Sequence, residues 1–127
     1  MPLIAVNHHY YREKGTGRGI YPTTPSALMQ EVSVIRKAGW RIGDETDILR
    51  FVSGELDTDD KVAIITFDDG FREQLGALKL LEQIDASAIC YLPTVVLVDN
   101  AVLEVHKLQM IRAQLTDEEI GEALSNR

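Results

Sequence analysis

Residues 61–71 read Lys-Val-Ala-Ile-Ile-Thr-Phe-Asp-Asp-Gly-Phe, and the rest of the chain is organised around them. From Val62 to Phe67 the stretch is apolar and rich in β-branched residues, and a turn signal closes it. A short run of this kind predicts a strand buried on both faces, as in the parallel sheets of α/β proteins. It stops at two adjacent carboxylates, Asp68 and Asp69. Because ligands and chemistry collect at the carboxyl ends of parallel strands, these two acids predict a functional site.

The adjacency of the two acids constrains how they act. Neighbouring side chains of a strand point to opposite faces, so Asp68 and Asp69 share a pocket only if the strand breaks. Gly70 can adopt positive φ without steric cost and so permit that break. Two carboxylates held close repel each other unless a cation or hydrogen bonds offset the repulsion. We therefore expect one acid to bind a divalent metal ion and the other to be free for proton transfer. A strand-ending turn with solvated acids is the alternative for Asp-Asp-Gly alone.

Thr66-Phe67-Asp68-Asp69-Gly70 resembles the first motif of the polysaccharide deacetylase family of carbohydrate esterases. Members of that family remove N- or O-acetyl groups from sugars and fold as a distorted (β/α) barrel. The resemblance implies that Asp68 is the catalytic base and that Asp69 binds the metal ion, usually zinc. It also implies an α/β fold, a partial (β/α) barrel with mostly parallel strands and flanking helices.

Two further segments are similar to the family pattern. His9-Tyr10 follows the first predicted strand, where deacetylases of this kind often carry a His-Tyr or Tyr-His pair. Pro93-Thr94 closes a later strand that is a loose version of a family segment. The resemblance places His9 and Thr94 as substrate-binding residues. A structural role for the histidine, through hydrogen bonds or surface exposure, is the alternative.

The metal-binding histidines of the family are spaced His-x-x-x-His, and this chain departs from that spacing. Counting from His106, the partner position is Met110, which is not a zinc ligand. We expect His106 to be the second metal ligand, with Asp69 the first. Glu104, or a histidine of residues 7–9, would complete the set. The competing interpretation is a histidine packed in the core.

The length of 127 residues fits a single domain. The resemblance covers nearly all of the chain, but the chain corresponds only to about the N-terminal half of a family domain. So few strands cannot close a barrel. An open edge strand invites pairing with another molecule, so a homo-oligomer is expected.

The composition of the chain excludes some classes of binding partner. The formal net charge is −7, which argues against nucleic acid and anionic membranes as partners. The apolar run of residues 3–6 is far too short to span a membrane, and we find no secretory signal, so a cytoplasmic setting is expected. The single cysteine, Cys90, lies in an apolar run and is interpreted as a buried, inert thiol. The glycine-containing residues 14–22 are predicted to form a surface loop.

The remaining elements follow from hydrophobic periodicity and helix signals. We predict strands at residues 3–6, 40–42, 62–67 and 86–92, and helices at residues 25–38, 47–53, 104–115 and 117–124, with a further helix after Gly70. The apolar residues at helical spacing are assigned to the core: Leu28, Met29, Val32, Ile35, Leu75, Leu78 and Leu81. The last helix starts with a capping box, Thr116 at the N-cap and Glu119 at N3.

Three functions fit these features. The first is metal-dependent hydrolysis of acetyl groups from an acetylated sugar or glycan. The second is a non-catalytic or incomplete deacetylase-like domain that binds glycan or a partner chain, favoured by Met110 and the short length. The third is a receiver-like domain that uses paired acids and magnesium for phosphoryl transfer. That class needs an acceptor acid at another strand end, which the sequence does not make evident.

Overall fold

The computed structural model describes residues 2–14, 20–57 and 59–125. Most of the predicted surface loop, residues 15–19, lies outside the described residues. In chain order the elements are β1 (Leu3–His8), α1 (Pro25–Lys37), β2 (Arg41–Ile42), α2 (Glu45–Val52), β3 (Val62–Asp68), α3 (Gln74–Gln83), β4 (Ile89–Tyr91), α4 (Thr94–Val98), α5 (Glu104–Gln114) and α6 (Asp117–Ser125).

The strand predicted from residues 62–67 is the centre of a four-stranded parallel sheet. β1 runs along β3 with Leu3 opposite Val62 and His8 opposite Phe67. β2 pairs with the first two residues of β3, and β4 pairs with its last three. All three neighbours are parallel to β3, so the carboxyl ends of β1, β3 and β4 meet at one edge of the sheet. The prediction of an α/β fold with parallel strands and flanking helices is confirmed.

The core lies on both faces of β3, whose residues 62–67 are all buried. On one face, Ile65 and Phe67 pack in a cluster with residues of α1 and α3, among them Leu28 and Leu81. On the other face, Val62 and Ile64 form a smaller cluster with Leu56. Because successive strand residues feed opposite faces, both clusters depend on one uninterrupted apolar strand.

Helix α1 begins and ends at the predicted residues. Thr24 is the N-cap, its hydroxyl oxygen accepts a hydrogen bond from the Ala27 amide at 3.3 Å, and Pro25 is the first helical residue. Gly39 has a φ of 81°, the left-handed conformation that glycine adopts easily after a helix. The capping box of α6 is also confirmed, since the Glu119 amide donates to Thr116 Oγ1 and the Thr116 amide donates to Glu119 Oε2.

Other sequence predictions are wrong in detail. Met29 is 46% exposed and Leu75 is 57% exposed, because each lies beside the apolar stripe of its helix and not on it. Helix α2 begins two residues before the predicted start, since the Asp44 side chain caps it and the Asp47 side chain binds back to the Asp44 amide. Strand β4 is confined to Ile89–Tyr91 because only these residues pair with β3.

The C-terminal third of the chain exposes many apolar side chains. On α5 the one buried residue is His106. The large hydrophobic residues exposed on α4, α5 and the segment between them are Val95, Leu97, Val98, Val102, Val105, Leu108, Met110 and Ile111. Exposed apolar side chains are typical of interaction sites only where they form one patch, and the homo-oligomer stays a prediction. Within the described part of the chain, no helix has the length and apolar character of a membrane span.

Candidate active site

The two acids stand where β3 breaks. Asp68 is the last residue of the strand, and Asp69 has a φ of 74°, followed by Gly70 at 67°. The break therefore starts one residue earlier than predicted, at Asp69 itself. A non-glycine residue with positive φ is uncommon and persists when its surroundings hold it, and here the Asp69 amide donates to the Tyr91 carbonyl at 3.1 Å. The pairing with the end of β4 thus helps to turn Asp69 out of the strand direction.

Asp69 faces a buried histidine from the other end of the chain. Its Oδ2 lies 3.3 Å from Nε2 of His106, and the two side chains are 14% and 8% exposed. Among the described residues, Nε2 of His106 has no hydrogen-bond partner although it is buried. A buried polar atom without a partner is costly, so its orientation towards a carboxylate calls for an explanation.

The rest of the His106 ring is held by aromatic side chains. The Tyr10 hydroxyl and Nδ1 of His106 are hydrogen-bonded at 2.8 Å, and the Phe71 ring meets the imidazole edge-to-face at a centroid distance of 4.5 Å. Burial, followed by the negative charge of Asp69, raises the pKa of Tyr10 above its ordinary value, while Arg12 opposes the shift. The phenol is therefore neutral at physiological pH and can either donate to or accept from the imidazole.

His8, the last residue of β1, and His9, which follows it, point in different directions, as predicted. His9 Nε2 lies 3.8 Å from Asp68 Oδ2 and 4.0 Å from Asp69 Oδ2, so it sits beside both acids. His8 is buried and faces away from them, with Nδ1 2.9 Å from Thr23 Oγ1 and Nε2 2.9 Å from Glu31 Oε1. His9 is the histidine that reaches the site, and His8 fastens β1 to α1.

Two consecutive hydrogen bonds between side chains of β1 and β3 lead to Asp68. Thr66 Oγ1 donates to Asn7 Oδ1 at 2.8 Å, and Asn7 Nδ2 donates to Asp68 Oδ2 at 2.8 Å. Asn7 and Thr66 are directly opposite each other in the β1–β3 pairing. Sequence reasoning missed Asn7, although a polar residue at the end of a predicted buried strand was a usable signal.

A buried glutamine ties the same two strand ends through their backbones. Gln74, the first residue of α3, is 3% exposed. Its Nε2 donates to the His9 carbonyl at 2.7 Å and to the Asp68 carbonyl at 2.6 Å. Both amide protons are thereby used, and the segments that carry His9 and the acids are held together. The sequence offered no signal for this role.

The acids border two open cavities. A cavity of about 510 Å³ is lined by Asn7, His8, His9, Tyr10, Ile20, Tyr21, Thr23, Asp69, Val105, His106 and Gln109. A second, of about 630 Å³, is lined by Ala5, Asn7, Thr66, Asp68, Asp69, Tyr91, Leu92 and Pro93. Asp69 belongs to both, so a ligand at this edge can reach the histidine side and the Asp68 side together.

The predicted site residues are thus largely brought together. Asp68, Asp69, His9 and His106 meet at the carboxyl edge of the sheet. Pro93 lines the cavity beside the acids, as the parallel β3–α3–β4 unit predicted. Thr94 is the exposed first residue of α4 and, among the described residues, is not part of the lining of either cavity that contains Asp69. Its role in substrate binding stays a prediction.

The side chains fit part of a metal site. A carboxylate oxygen and an imidazole nitrogen without a hydrogen bond, both close to buried, are the donors that zinc takes in proteins. Tyr10 at Nδ1 supplies the outer hydrogen bond that metal-binding histidines usually make. Within residues 2–14, 20–57 and 59–125, no group of three His, Cys, Asp or Glu side chains is arranged to hold an ion. The fit therefore extends to Asp69 and His106, and the described part of the chain does not place a third ligand beside them.

Solved structures of deacetylases share this architecture. A de-N-acetylase from Aggregatibacter actinomycetemcomitans is 16% identical with a TM-score of 0.61, over 79% of this chain and 40% of that one. A polysaccharide deacetylase from Bacillus cereus is 19% identical with a TM-score of 0.56, over 80% of this chain and 31% of that one. The deacetylase PplD of Streptococcus pyogenes, solved with acetate, is 18% identical with a TM-score of 0.56, over 90% of this chain and 51% of that one.

At identities of 16–19% the likeness concerns the fold. The chain spans about half or less of the length of these three structures. No protein-family model matches the sequence, and no curated protein matches it significantly. The chain thus has the α/β architecture of part of a polysaccharide deacetylase, as Thr66-Phe67-Asp68-Asp69-Gly70 predicted.

Proposed function

We propose that this chain carries the base and part of the metal site of a metal-dependent deacetylase that acts on an acetylated sugar or polysaccharide. The observation that carries the proposal is the convergence of Asp68, Asp69 and His106, from two distant parts of the sequence, at the carboxyl edge of a deacetylase-type sheet. Its substrate class is taken from the deacetylases with which the fold is shared.

Asp69 and His106 would hold the metal ion, through Oδ2 and Nε2. When bound, a zinc ion supplies Lewis-acid chemistry, polarising an acetyl carbonyl and lowering the pKa of water. With Nε2 on the ion, the Nδ1–H of His106 would donate its hydrogen bond to the Tyr10 hydroxyl oxygen, which would keep the Nε2 lone pair directed at the ion site. His9, beside both carboxylates, lines the substrate cavity.

Asp68 acts as the general base. One of its oxygens is engaged by Asn7, and no described residue makes a hydrogen bond to the other, which is left to take a proton from water. In the overall hydrolysis, the water oxygen bonds to the acetyl carbon, the bond from that carbon to the sugar nitrogen or oxygen breaks, and a proton passes to the departing sugar atom. The products are acetate and the free amine or hydroxyl of the sugar.

The test measures acetate release from N-acetylated and O-acetylated oligosaccharides while zinc or cobalt is titrated. We expect metal-dependent release that Asp68→Asn reduces by about 100-fold or more, with metal affinity retained. Asp99→Asn, a change of an exposed acid far along the chain, is the matched control. Unchanged release in Asp68→Asn would remove the base and with it the proposal.

A second candidate is a deacetylase-like domain that binds glycan or a partner chain without hydrolysing it. The observation that favours it is the two-residue metal site, with Met110 where the second histidine of the motif would stand. Calorimetric titration separates the two functions, since this candidate predicts glycan affinity with no zinc uptake.

The receiver-like alternative finds less support. It requires an acceptor acid at a neighbouring strand end, and β1 and β4 end in Asn7-His8 and Tyr91. The acid that follows β2, Asp44, is engaged in capping α2. Labelling with a small phosphodonor distinguishes this class from the other two.

A further inference from the structure

We propose that Asn7 is a positioning residue that sets the orientation of the Asp68 carboxylate, and that Thr66 in turn sets the orientation of Asn7. The inference rests on the proposed function, because it concerns the side chain assigned there as the base. Asn7 lies outside the Thr66-Phe67-Asp68-Asp69-Gly70 motif, and Thr66 is its first residue with no role assigned above. Both are inferred to act through Asp68 and not on the substrate.

The direction of the hydrogen-bond chain follows from the chemistry of its last member. An ionised carboxylate only accepts hydrogen bonds, so Asn7 must present its NH₂ group to Asp68 Oδ2. The amide oxygen of Asn7 then faces Thr66, whose hydroxyl must donate to it. Each of the three side chains therefore has one orientation that satisfies its neighbours.

The sheet supplies the rigidity of this arrangement. Asn7 and Thr66 are a directly opposed pair of the parallel β1–β3 ladder, and Thr66 is buried. A buried hydroxyl with few competing waters keeps its donor on Asn7, whereas Asn7 itself is exposed and would otherwise rotate in solvent. The fixed hydroxyl of Thr66 thus restricts the rotation of the exposed Asn7 side chain.

In this orientation the two oxygens of Asp68 have different roles. Oδ2 is occupied by Asn7 and lies 3.8 Å from His9 Nε2. No described residue makes a hydrogen bond to Oδ1, and Asp68 lines the cavity between the ends of β1 and β4. Without Asn7, either oxygen could turn towards the backbone or the histidine, and a base displaced by about 1 Å can lose on the order of 100-fold in rate.

A double-mutant cycle on the zinc-loaded protein tests the kinetic part. We expect Asn7→Ala to lower kcat by about 10–100-fold while KM and zinc affinity stay within about twofold, because the Asn7 side chain, although it lines both cavities, makes its hydrogen bonds to Asp68 and Thr66. Thr66→Val, which keeps the shape and removes the donor, should lower kcat on its own and have no further effect in the Asn7→Ala background. Thr66→Ser keeps the donor and should restore near-normal kcat.

The proposal would be overturned if the kcat losses of Asn7→Ala and Thr66→Val multiply in the double variant, because Thr66 would then not act through Asn7. Equal losses in Thr66→Ser and Thr66→Val would overturn it too, since packing and not the hydroxyl would matter. A rise in KM or a loss of zinc affinity in Asn7→Ala would assign Asn7 to binding instead.

The orientation itself is tested on the metal-free protein, without any assay of activity. Proton–nitrogen NMR of the Asn7 side-chain NH₂ should show one exchange-protected NH proton, the one donated to Asp68, whose resonance both Thr66→Val and Asp68→Asn shift or broaden. Resonances of a freely exchanging amide in the unsubstituted protein would overturn the proposal. If the unsubstituted protein releases no acetate but shows the protected amide, the deacetylase function fails while the orientation of Asp68 by Asn7 stands.

Discussion

His106 Nε2 lies 3.3 Å from Asp69 Oδ2 and, among the described residues, has no hydrogen-bond partner. The two residues are far apart in sequence and come from α5 and from the end of β3. This contact joins α5, on which His106 is the one buried residue, to β3, whose residues 62–67 are all buried. A bound cation would satisfy both atoms, which is why the pair carries the proposed metal site.

The first prediction concerns the hydrogen bond behind His106. Tyr10→Phe removes the hydroxyl 2.8 Å from Nδ1 and keeps the ring that packs on Phe71. We expect zinc affinity, measured by competition with a chromophoric chelator, to fall by about 10–100-fold. Tyr11→Phe is the matched control, because Tyr11 is buried next to it in the core cluster. Equal affinities in the two variants would show that the Tyr10 hydroxyl does not orient His106.

The second prediction concerns the glutamine that joins the strand ends. Gln74→Leu removes the donor of two part-buried hydrogen bonds, those to the carbonyls of His9 and Asp68, and a carbonyl left unpaired away from water costs about 1–3 kcal/mol. We expect the free energy of unfolding in urea to fall by about 2–4 kcal/mol. The same substitution at exposed Gln83, the last residue of the helix, should change it by less than about 0.5 kcal/mol. A similar loss at both positions would mean that helix composition, and not the two hydrogen bonds of Gln74, is responsible.

The third prediction concerns close packing after β2. A Cβ at Gly43 would lie 2.3 Å from Val62 Cγ1 and 2.7 Å from Asp47 Oδ2, so Gly43→Ala forces the buried Val62 and Asp47 side chains or the Gly43 backbone to shift. We expect a loss of stability of about 1–3 kcal/mol. At Gly121, on α6, a Cβ meets open space, and Gly121→Ala should stabilise the helix by about 0.5–1 kcal/mol. Thermal unfolding of the two variants should therefore shift in opposite directions, and a neutral Gly43→Ala would contradict the packing.

The fourth prediction concerns stability at acid pH. Two hydrogen bonds from the Arg41 guanidinium hold the pKa of buried Asp47 below its ordinary 3.8, helped by the Asp44 amide and opposed by burial. A carboxylate with a depressed folded pKa stabilises the fold above its unfolded pKa, and that contribution is lost as pH falls through the folded value. We expect stability to drop as pH is lowered below about 4.

Urea unfolding at a series of pH values between 3 and 7 measures this dependence. Asp47→Asn should be less stable than the unsubstituted protein at neutral pH. Its free energy of unfolding should also depend less steeply on pH in the acid range. Glu122→Gln, a change of an exposed acid on α6, should leave the slope as it was. If the stability of Asp47→Asn falls as steeply at acid pH as that of the unsubstituted protein, the loss of stability belongs to other carboxylates.

Local sequence features were sufficient for most elements, since each is decided by nearby residues. Thr24, Pro25 and Gly39 bound α1 because capping, a fixed proline φ and a left-handed glycine act within one turn. The burial of residues 62–67 followed from an apolar run that suits only a strand covered on both faces. Met29 and Leu75 were misplaced because periodicity alone does not decide which side of a helix meets the sheet.

The amino-acid sequence alone determined the class of fold and predicted the two acids of the candidate site, because Thr66-Phe67-Asp68-Asp69-Gly70 carries both the strand and its terminal acids. Only the tertiary structure decided which groups meet them. Asn7, Tyr10 and Gln74 reach Asp68 and His106 through the strand register and the packing of α3 and α5, which are long-range relationships that no local pattern encodes. For the same reason, His106 became a partner of Asp69 only once the fold had buried its ring beside the break in β3.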